Sequence, residues 1–251
     1  MKKIIIILCL YLIPLKSLSE GLVYNFYWSI IPVSQLSINL GNYFSRDNKK
    51  EIINPGFSIE TKGPLKIFRN YKSTVYLDLK DSEEWSYNLL GMDRGQPEEK
   101  IISYYNSSYP IVRKFIDDKG LSSLDVDINK DVGTVDPFTV MLKIMREIES
   151  QGDCNTELSV YDGKRRYLVK VELIKRIPVD SIAKDEYPKP SINCRLNLLG
   201  EFVEDFKNNN KWPFNGEERY FDIWFSAEKP FIPVRFSIKT PIGSIIGKLS
   251  E

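Results

Sequence analysis

"GDCNTELSVYDGKRRYLVKVEL", residues 152–173, is the stretch whose reading decides the fold. Apolar and polar residues alternate with period two on both sides of Asp162-Gly163, the pattern of two half-buried strands joined by a tight turn. Asp-Gly suits a two-residue type I′ turn, whose central residues both take positive φ. Under that turn Tyr161 faces Lys164, Val160 faces Arg165, Ser159 faces Arg166, Leu158 faces Tyr167, Thr156 faces Val169 and Cys154 faces Val171. Cross-strand partners share a face. One face then collects Cys154, Thr156, Leu158, Val160, Tyr167, Val169 and Val171, and the other Asn155, Glu157, Ser159, Tyr161, Lys164, Arg166 and Lys170. A one-residue slip would mix the apolar and polar sets, so the alternation specifies which face is buried.

This register splits the basic triplet. Lys164 and Arg166 point outward and keep the outer face wet, while Arg165 lies in the inward row at the hairpin tip. Arg165, with Tyr167 in the same row, is the candidate ligand-contacting pair; Asp162 and Gly163 serve the turn. An arginine at the mouth of an apolar concavity meets a carboxylate or phosphate bidentately. The plainer reading of Arg165 is a salt bridge to a neighbouring acid, or a stem lying along apolar surface with its head in water.

The rest of the chain follows the same period. Tyr24, Phe26 and Trp28; Leu36, Ile38 and Leu40; Val75, Leu77 and Leu79; Phe221, Ile223 and Phe225; and Val234, Phe236 and Ile238 each alternate with other residues. So many strands with hardly a helix between them favour antiparallel pairing. The expected fold is mainly β: one strongly curved antiparallel sheet, a half-barrel or β-spiral of about 10–14 strands. "VDPFTVMLKIMREIESQG" breaks the pattern and predicts a helix over 137–150, with Asp136 as N-cap, Pro137 at the first helical position and Gly152 just past the end. Phe138, Met141, Leu142, Met145 and Ile148 make one apolar stripe, and Lys143, Arg146, Glu147 and Glu149 stay wet. The stripe packs on the sheet, or plugs the open side of its curve. Residues 178–190 and 205–220 read as long loops.

Residues 1–19, "MKKIIIILCLYLIPLKSLS", have the basic start, short apolar run and small residues of a secretory signal, with cleavage expected between Ser19 and Glu20. The run is too short for a membrane span, and Leu8 before Cys9 does not suit lipidation. Residues 20–251 read as a single β domain, with no repeat or linker to divide them. The whole chain has 35 basic and 34 acidic residues. Without Lys2, Lys3 and Lys16 the balance is slightly acidic, which argues against a nucleic-acid partner. There is no histidine, which excludes histidine-based triads and general bases and most zinc or copper sites. Neither a metal nor a cofactor is expected.

Beyond Cys9 the cysteines are Cys154 and Cys194. An exported chain meets an oxidising compartment, so a disulfide is the default. It closes a loop of about 40 residues, for which the chain-entropy estimate is on the order of 4 kcal/mol. Cys194, Leu196 and Leu198 alternate with Arg195 and Asn197, so both sulfurs point to the core side. A redox-active pair is the weaker reading, without Cys-x-x-Cys spacing or a histidine to lower a thiol pKa.

The order of these motifs resembles the Gram-negative envelope family catalogued as domain of unknown function 3108. The residues that carry it are "YNFYWSIIPVSQLSINLG", "VDPFTVMLKIMREI", "GDCNTELSVYDGKRRYLVKV", "CRLNLLGEF" and "PVRFSIKTPIGSIIGKL". Lys164 stands where that pattern expects a third arginine, and Ser34 where a glycine is usual. The resemblance implies a periplasmic protein with a curved antiparallel sheet, similar in general shape to lipoprotein-carrier half-barrels and envelope-integrity β-spiral proteins. A lipid or lipoprotein acyl chain is the ligand such a shape suggests, by analogy of fold alone.

The leading functional expectation is thus a non-enzymatic envelope protein with an apolar concavity for a lipid or other amphiphile. The alternative is an interaction protein of the outer membrane or cell wall, working through strand edges and the tyrosines of "ISYYNSSYP", 102–110. A third reading, a carboxylate-based hydrolase, would use Glu83-Glu84 beside Trp85, or Asp117-Asp118. Adjacent strand residues point to opposite faces, and "DDKG" reads as a turn. Trp28, Trp85, Trp212 and Trp224 belong to core or rim before they belong to a sugar platform.

Overall fold

The computed structural model describes residues 21–41, 54–80, 83–117, 120–121, 131–163, 165–178, 189–199, 219–240 and 243–250. The loops expected over 178–190 and 205–220, and the signal segment, lie almost wholly outside the described residues. The first half of the chain forms β1 (Leu22–Trp28), β2 (Ile31–Asn39), β3 (Gly56–Thr61), a short helix α1 (Leu65–Phe68), β4 (Tyr71–Leu79) and β5 (Glu84–Asp93). Next come β6 (Gln96–Tyr105), β7 (Ile111–Asp117), β8 (Gly120–Leu121) and helix α2 (Pro137–Gln151). The second half forms β9 (Thr156–Tyr161), β10 (Arg166–Arg176), β11 (Pro190–Leu199), β12 (Arg219–Ser226), β13 (Pro233–Thr240) and β14 (Gly243–Leu249).

Among the described residues all fourteen strands belong to one sheet, in the order β8 down to β1, then β14 down to β9. Every ladder is antiparallel, including the β1–β14 ladder in which Tyr24 faces Leu249 and Trp28 faces Ile245. Connections that leave odd-numbered strands therefore fall at one end of the sheet, hereafter the hairpin end. The sheet curls without closing, because β8 and β9 stand at its two edges.

The period-two residues line the concave face. Tyr24, Ile38, Val75, Leu77, Tyr87, Ile102, Val171, Cys194, Leu196, Ile223 and Phe225 are all buried there in one cluster. Tyr24 donates from its hydroxyl to the Pro233 carbonyl at 2.6 Å and meets Phe236 edge-on at 5.1 Å between ring centres. These contacts tie the first strand to the end of the chain.

The second helix forms as the sequence predicts. The Asp136 carboxylate accepts from the Phe138 and Thr139 amides, Pro137 opens the helix, and Gly152 closes it at φ 79° with its amide bonded to the Ile148 carbonyl at 3.0 Å. Its burial exceeds the predicted stripe. Val140 and Ile144 are buried beside Phe138, Leu142, Met145 and Ile148, whereas Met141 is only partly so. At about 100° per residue these positions cover more than half the circumference. The reason is the curl: the Phe138 ring meets Phe57 of β3 at 5.2 Å, Asp136 binds Trp85 of β5, and Glu149 pairs with Lys229 beyond β12 at 3.2 Å. A helix on a flat sheet hides one stripe; this one lies inside the bend. Lys143, expected wet, is half-buried, and burial holds its amine below the ordinary lysine value. No helix among the described residues is long and apolar enough to cross a membrane.

Candidate functional site

The β9–β10 hairpin keeps the predicted faces but not the predicted pairing. Tyr161 faces Arg166, Val160 faces Tyr167 and Thr156 faces Val171, two residues beyond the expected register. A shift of two preserves parity, so the apolar row stays together. The connection is four residues, 162–165, because the Asp162 side chain closes it locally. Its carboxylate accepts from the Arg165 amide at 2.7 Å, and the Asp162 amide donates to the Arg165 carbonyl at 3.1 Å. Lys164 lies outside the described residues. Gly163 takes φ 88°, and a Cβ on it would sit 2.6 Å from Ile102 Cδ1. The tip therefore docks against β6 across the concave face. Tyr104 of β6, fully buried, donates to the Tyr161 carbonyl at 2.6 Å and fixes that approach.

The outer face of the tip is not simply wet. Val135 donates to the Ser159 carbonyl at 2.9 Å and accepts from the Tyr161 amide at 3.0 Å, laying the segment before α2 along the edge of β9. This segment covers Tyr161, which is 2% exposed. It also brings in Asp131, which is fully buried and grips Arg166 through both carboxylate oxygens, Nη2 to Oδ2 at 2.9 Å. Arg166 thus belongs to a largely desolvated bidentate ion pair, with its guanidinium 5.8 Å from the Tyr161 ring centre. The expectation that Arg166 only solvates the outer face is corrected on this ground: β9 is an edge strand, and its exposed side is covered by the chain itself.

Arg165 faces a cavity of about 300 Å³ at the hairpin end. There the concave face, apolar farther in, turns polar. Arg69 and Tyr71 enter from the start of β4, Asp93 from the end of β5, Gln96, Pro97, Glu98 and Lys100 from β6, Phe115 from β7, and Asp162 with Arg165 from the hairpin tip. Arg69 holds Asp93 bidentately, at 3.1 Å from Nε and 2.8 Å from Nη2. Lys100 pairs with Glu98 at 3.4 Å and stands 5.3 Å from the Phe115 ring centre. Three cations and three carboxylates meet in one concave space beside two aromatic rings. The Tyr71 phenol is held above its ordinary value, first by burial and then by the Glu98 charge. An arrangement of this kind offers donors and acceptors together, and suits a polar group carrying both signs of charge better than a bare anion.

The remaining candidate residues fall as follows. Tyr167 lies in the inner row behind Arg165, and burial raises its phenol well above the ordinary value. Cys154 and Cys194 are bonded, with Cα atoms 6.2 Å apart and both side chains fully buried, which ties the start of β9 to β11 across β10. Glu84 forms an exposed ion pair with Lys80 at 2.6 Å, and Asp117 faces Gly120 across the β7–β8 turn; Asp118 lies outside the described residues. Of the tyrosines in 102–110, Tyr104 is core rather than exposed, stacked on Trp85 at 5.6 Å.

The sequence reading missed Asp131 and, apart from Asp162 and Arg165, every residue of the cavity wall. Asp131 gave no local signal, since its partner Arg166 lies 35 residues away, and the ring beside Lys100 belongs to another strand, β7. Asp136 was legible as a helix cap, but its second task was not: Trp85 Nε1 donates to its Oδ2 at 2.7 Å.

Comparison with known proteins places the fold and no more. No family model matches the chain, and no curated protein matches it. Among solved structures it is similar to a protein from Brucella abortus described as a beta-barrel-like protein of domain of unknown function DUF1849. The TM-score is 0.58 at 12% identity, covering 92% of this chain and 95% of that one. That neighbour bears out a mainly β, barrel-like architecture.

Proposed function

We propose that the chain is an exported, non-enzymatic protein of the Gram-negative envelope that holds the polar head of a lipid or other amphiphile at the hairpin end. The observation that carries this reading is the mixed-charge cavity of about 300 Å³ walled by Arg69, Lys100, Arg165, Asp93 and Glu98. Its size falls at the lower end of small-ligand sites. Ile67 and Phe68, which immediately precede Arg69, are 85% and 77% exposed and give an apolar chain somewhere to lie. The ligand sits at the mouth rather than deep in the concavity, because α2 fills the interior. Export and a periplasmic home rest on the signal-like segment and the motif resemblance.

Native mass spectrometry of gently purified protein tests for a carried amphiphile, and titration of stripped protein with a soluble lysophospholipid tests for uptake. Arg165→Ala with Lys100→Ala should weaken uptake by about tenfold or more. Full affinity in that double variant would sink the head-group site; no carried and no acquired amphiphile would sink the function.

A second reading is favoured by α2 itself. A concave face filled by the protein's own helix leaves the convex face and the rim for protein partners. Crosslinking in intact cells that returns one dominant protein, with no amphiphile on the purified chain, would favour that reading.

A further inference from the structure

Two chain segments bring exposed apolar side chains together at the hairpin end, and a third lies against them. The β1–β2 turn carries Trp28, Ile30 and Ile31, of which Ile30 is 87% exposed. The β3–β4 connection carries Ile67 and Phe68 on α1. It lies against the first segment: Lys62 donates its amide to the Val33 carbonyl at 2.9 Å, and a Cβ on Gly63 would sit 2.5 Å from the Pro32 carbonyl oxygen. The β13–β14 turn completes the rim, with Gly243 against the Trp28 indole. Soluble surfaces carry single apolar side chains without meaning. A cluster of large ones at turn tips, none of them packed into the core, needs an occupant.

The charges around the rim say which. Lys62, Lys66 and Lys72 gather about the single carboxylate of Glu60, which they hold below its ordinary value, first through the Lys62 hydrogen bond. Lys239, near the end of β13, faces Ser244 of β14. Isoleucine and phenylalanine at protruding tips beside a tryptophan, with lysines around Glu60 among the described residues, is the composition of a surface that enters the interface of an anionic bilayer.

We propose that the hairpin end docks on the surface of an anionic lipid bilayer, with Ile30, Ile31, Ile67 and Phe68 entering the interface and the lysines meeting lipid phosphates. This docking shares Ile67 and Phe68 with the head-group site, but its own footing is the exposed rim and its lysines. The protein lies on the membrane by one end, with its concave mouth turned toward the lipid.

Co-sedimentation with vesicles tests it. One set would contain phosphatidylglycerol and phosphatidylcholine in equal parts, the other phosphatidylcholine alone. The intact protein should bind the first set, less at high salt and less to the second. Ile30→Asp with Ile67→Asp should lower binding by about tenfold or more, with an unchanged circular dichroism spectrum because both side chains already face water. Lys66→Glu should weaken binding to the anionic vesicles alone. No binding by the parent, or equal binding by the double aspartate variant, overturns the proposal. So does a parent that dimerises in analytical ultracentrifugation through this rim, with dimer and not vesicle binding lost in the double variant.

Discussion

The Asp136 carboxylate lies wholly out of water yet accepts from the Phe138 amide, the Thr139 amide and hydroxyl, and the Trp85 indole. Desolvation nevertheless dominates and raises its pKa above the ordinary aspartate value. The folded protein therefore binds this proton more tightly than the unfolded chain. The stability that follows is complete below the unfolded pKa and is lost as pH rises through the folded one. Asp136→Asn lacks that titration. The stability of the parent relative to Asp136→Asn should fall as pH climbs out of the carboxylate range and then level off; urea melts across a pH series would show the slope, and a rising difference would refute it. Asp131 and Arg166, by contrast, form a buried charge pair. Arg166→Met leaves the buried Asp131 carboxylate without the guanidinium that grips it, at a cost on the order of 3 kcal/mol. Adding Asp131→Leu should recover much of that loss, because two matched apolar groups replace two desolvated charges. A double variant no more stable than Arg166→Met would count against the pair.

The β9–β10 hairpin is anchored three times: by the disulfide at its base, by Arg166 on its outer face, and by Tyr104 and Gly163 at its tip. The disulfide spans 40 residues, and replacing both cysteines by alanine should cost about 4 kcal/mol on the chain-entropy estimate. A measured loss below about 1 kcal/mol would mean that the tip contacts hold the hairpin in register without it. Helix α2 obeys its own sequence at both ends and the tertiary structure in between. Its caps are local chemistry, so Asp136, Pro137 and Gly152 were legible. Its second buried flank, Val140 and Ile144, was not, because the sheet that covers it comes from both halves of the chain.

For the whole molecule, the strand order has a consequence for folding. The last strand is not at an edge but beside the first, in the middle of the sheet. A chain ending at Thr240 would leave both β1 and β13 with bare edges and strip the core of its central ladder. Such a chain should lack the cooperative thermal transition of the parent. The two-residue β8, at a true edge, contributes little by comparison. Persistence of the parent's melting curve in the truncated chain, followed by circular dichroism, would show that the two halves fold separately.

The sequence by itself determined the class of fold, the inner and outer faces of its strands, the helix with its caps, and the pairing of Cys154 with Cys194. Each follows from local periodicity, from turn and cap chemistry, or from cysteine count and the inward parity of both cysteines, which a few residues suffice to specify. Only the tertiary structure decided the hairpin register, the burial of Tyr161 and Tyr104, the Asp131–Arg166 pair, and the surroundings of Arg165. Alternation records parity, which a shift of two residues leaves unchanged. It does not record curvature, and curvature brings β6 to the hairpin tip and α2 into the bend. Arg165 therefore lies within a cavity whose other walls come from β4 to β7, and no reading of its own strand could have named them.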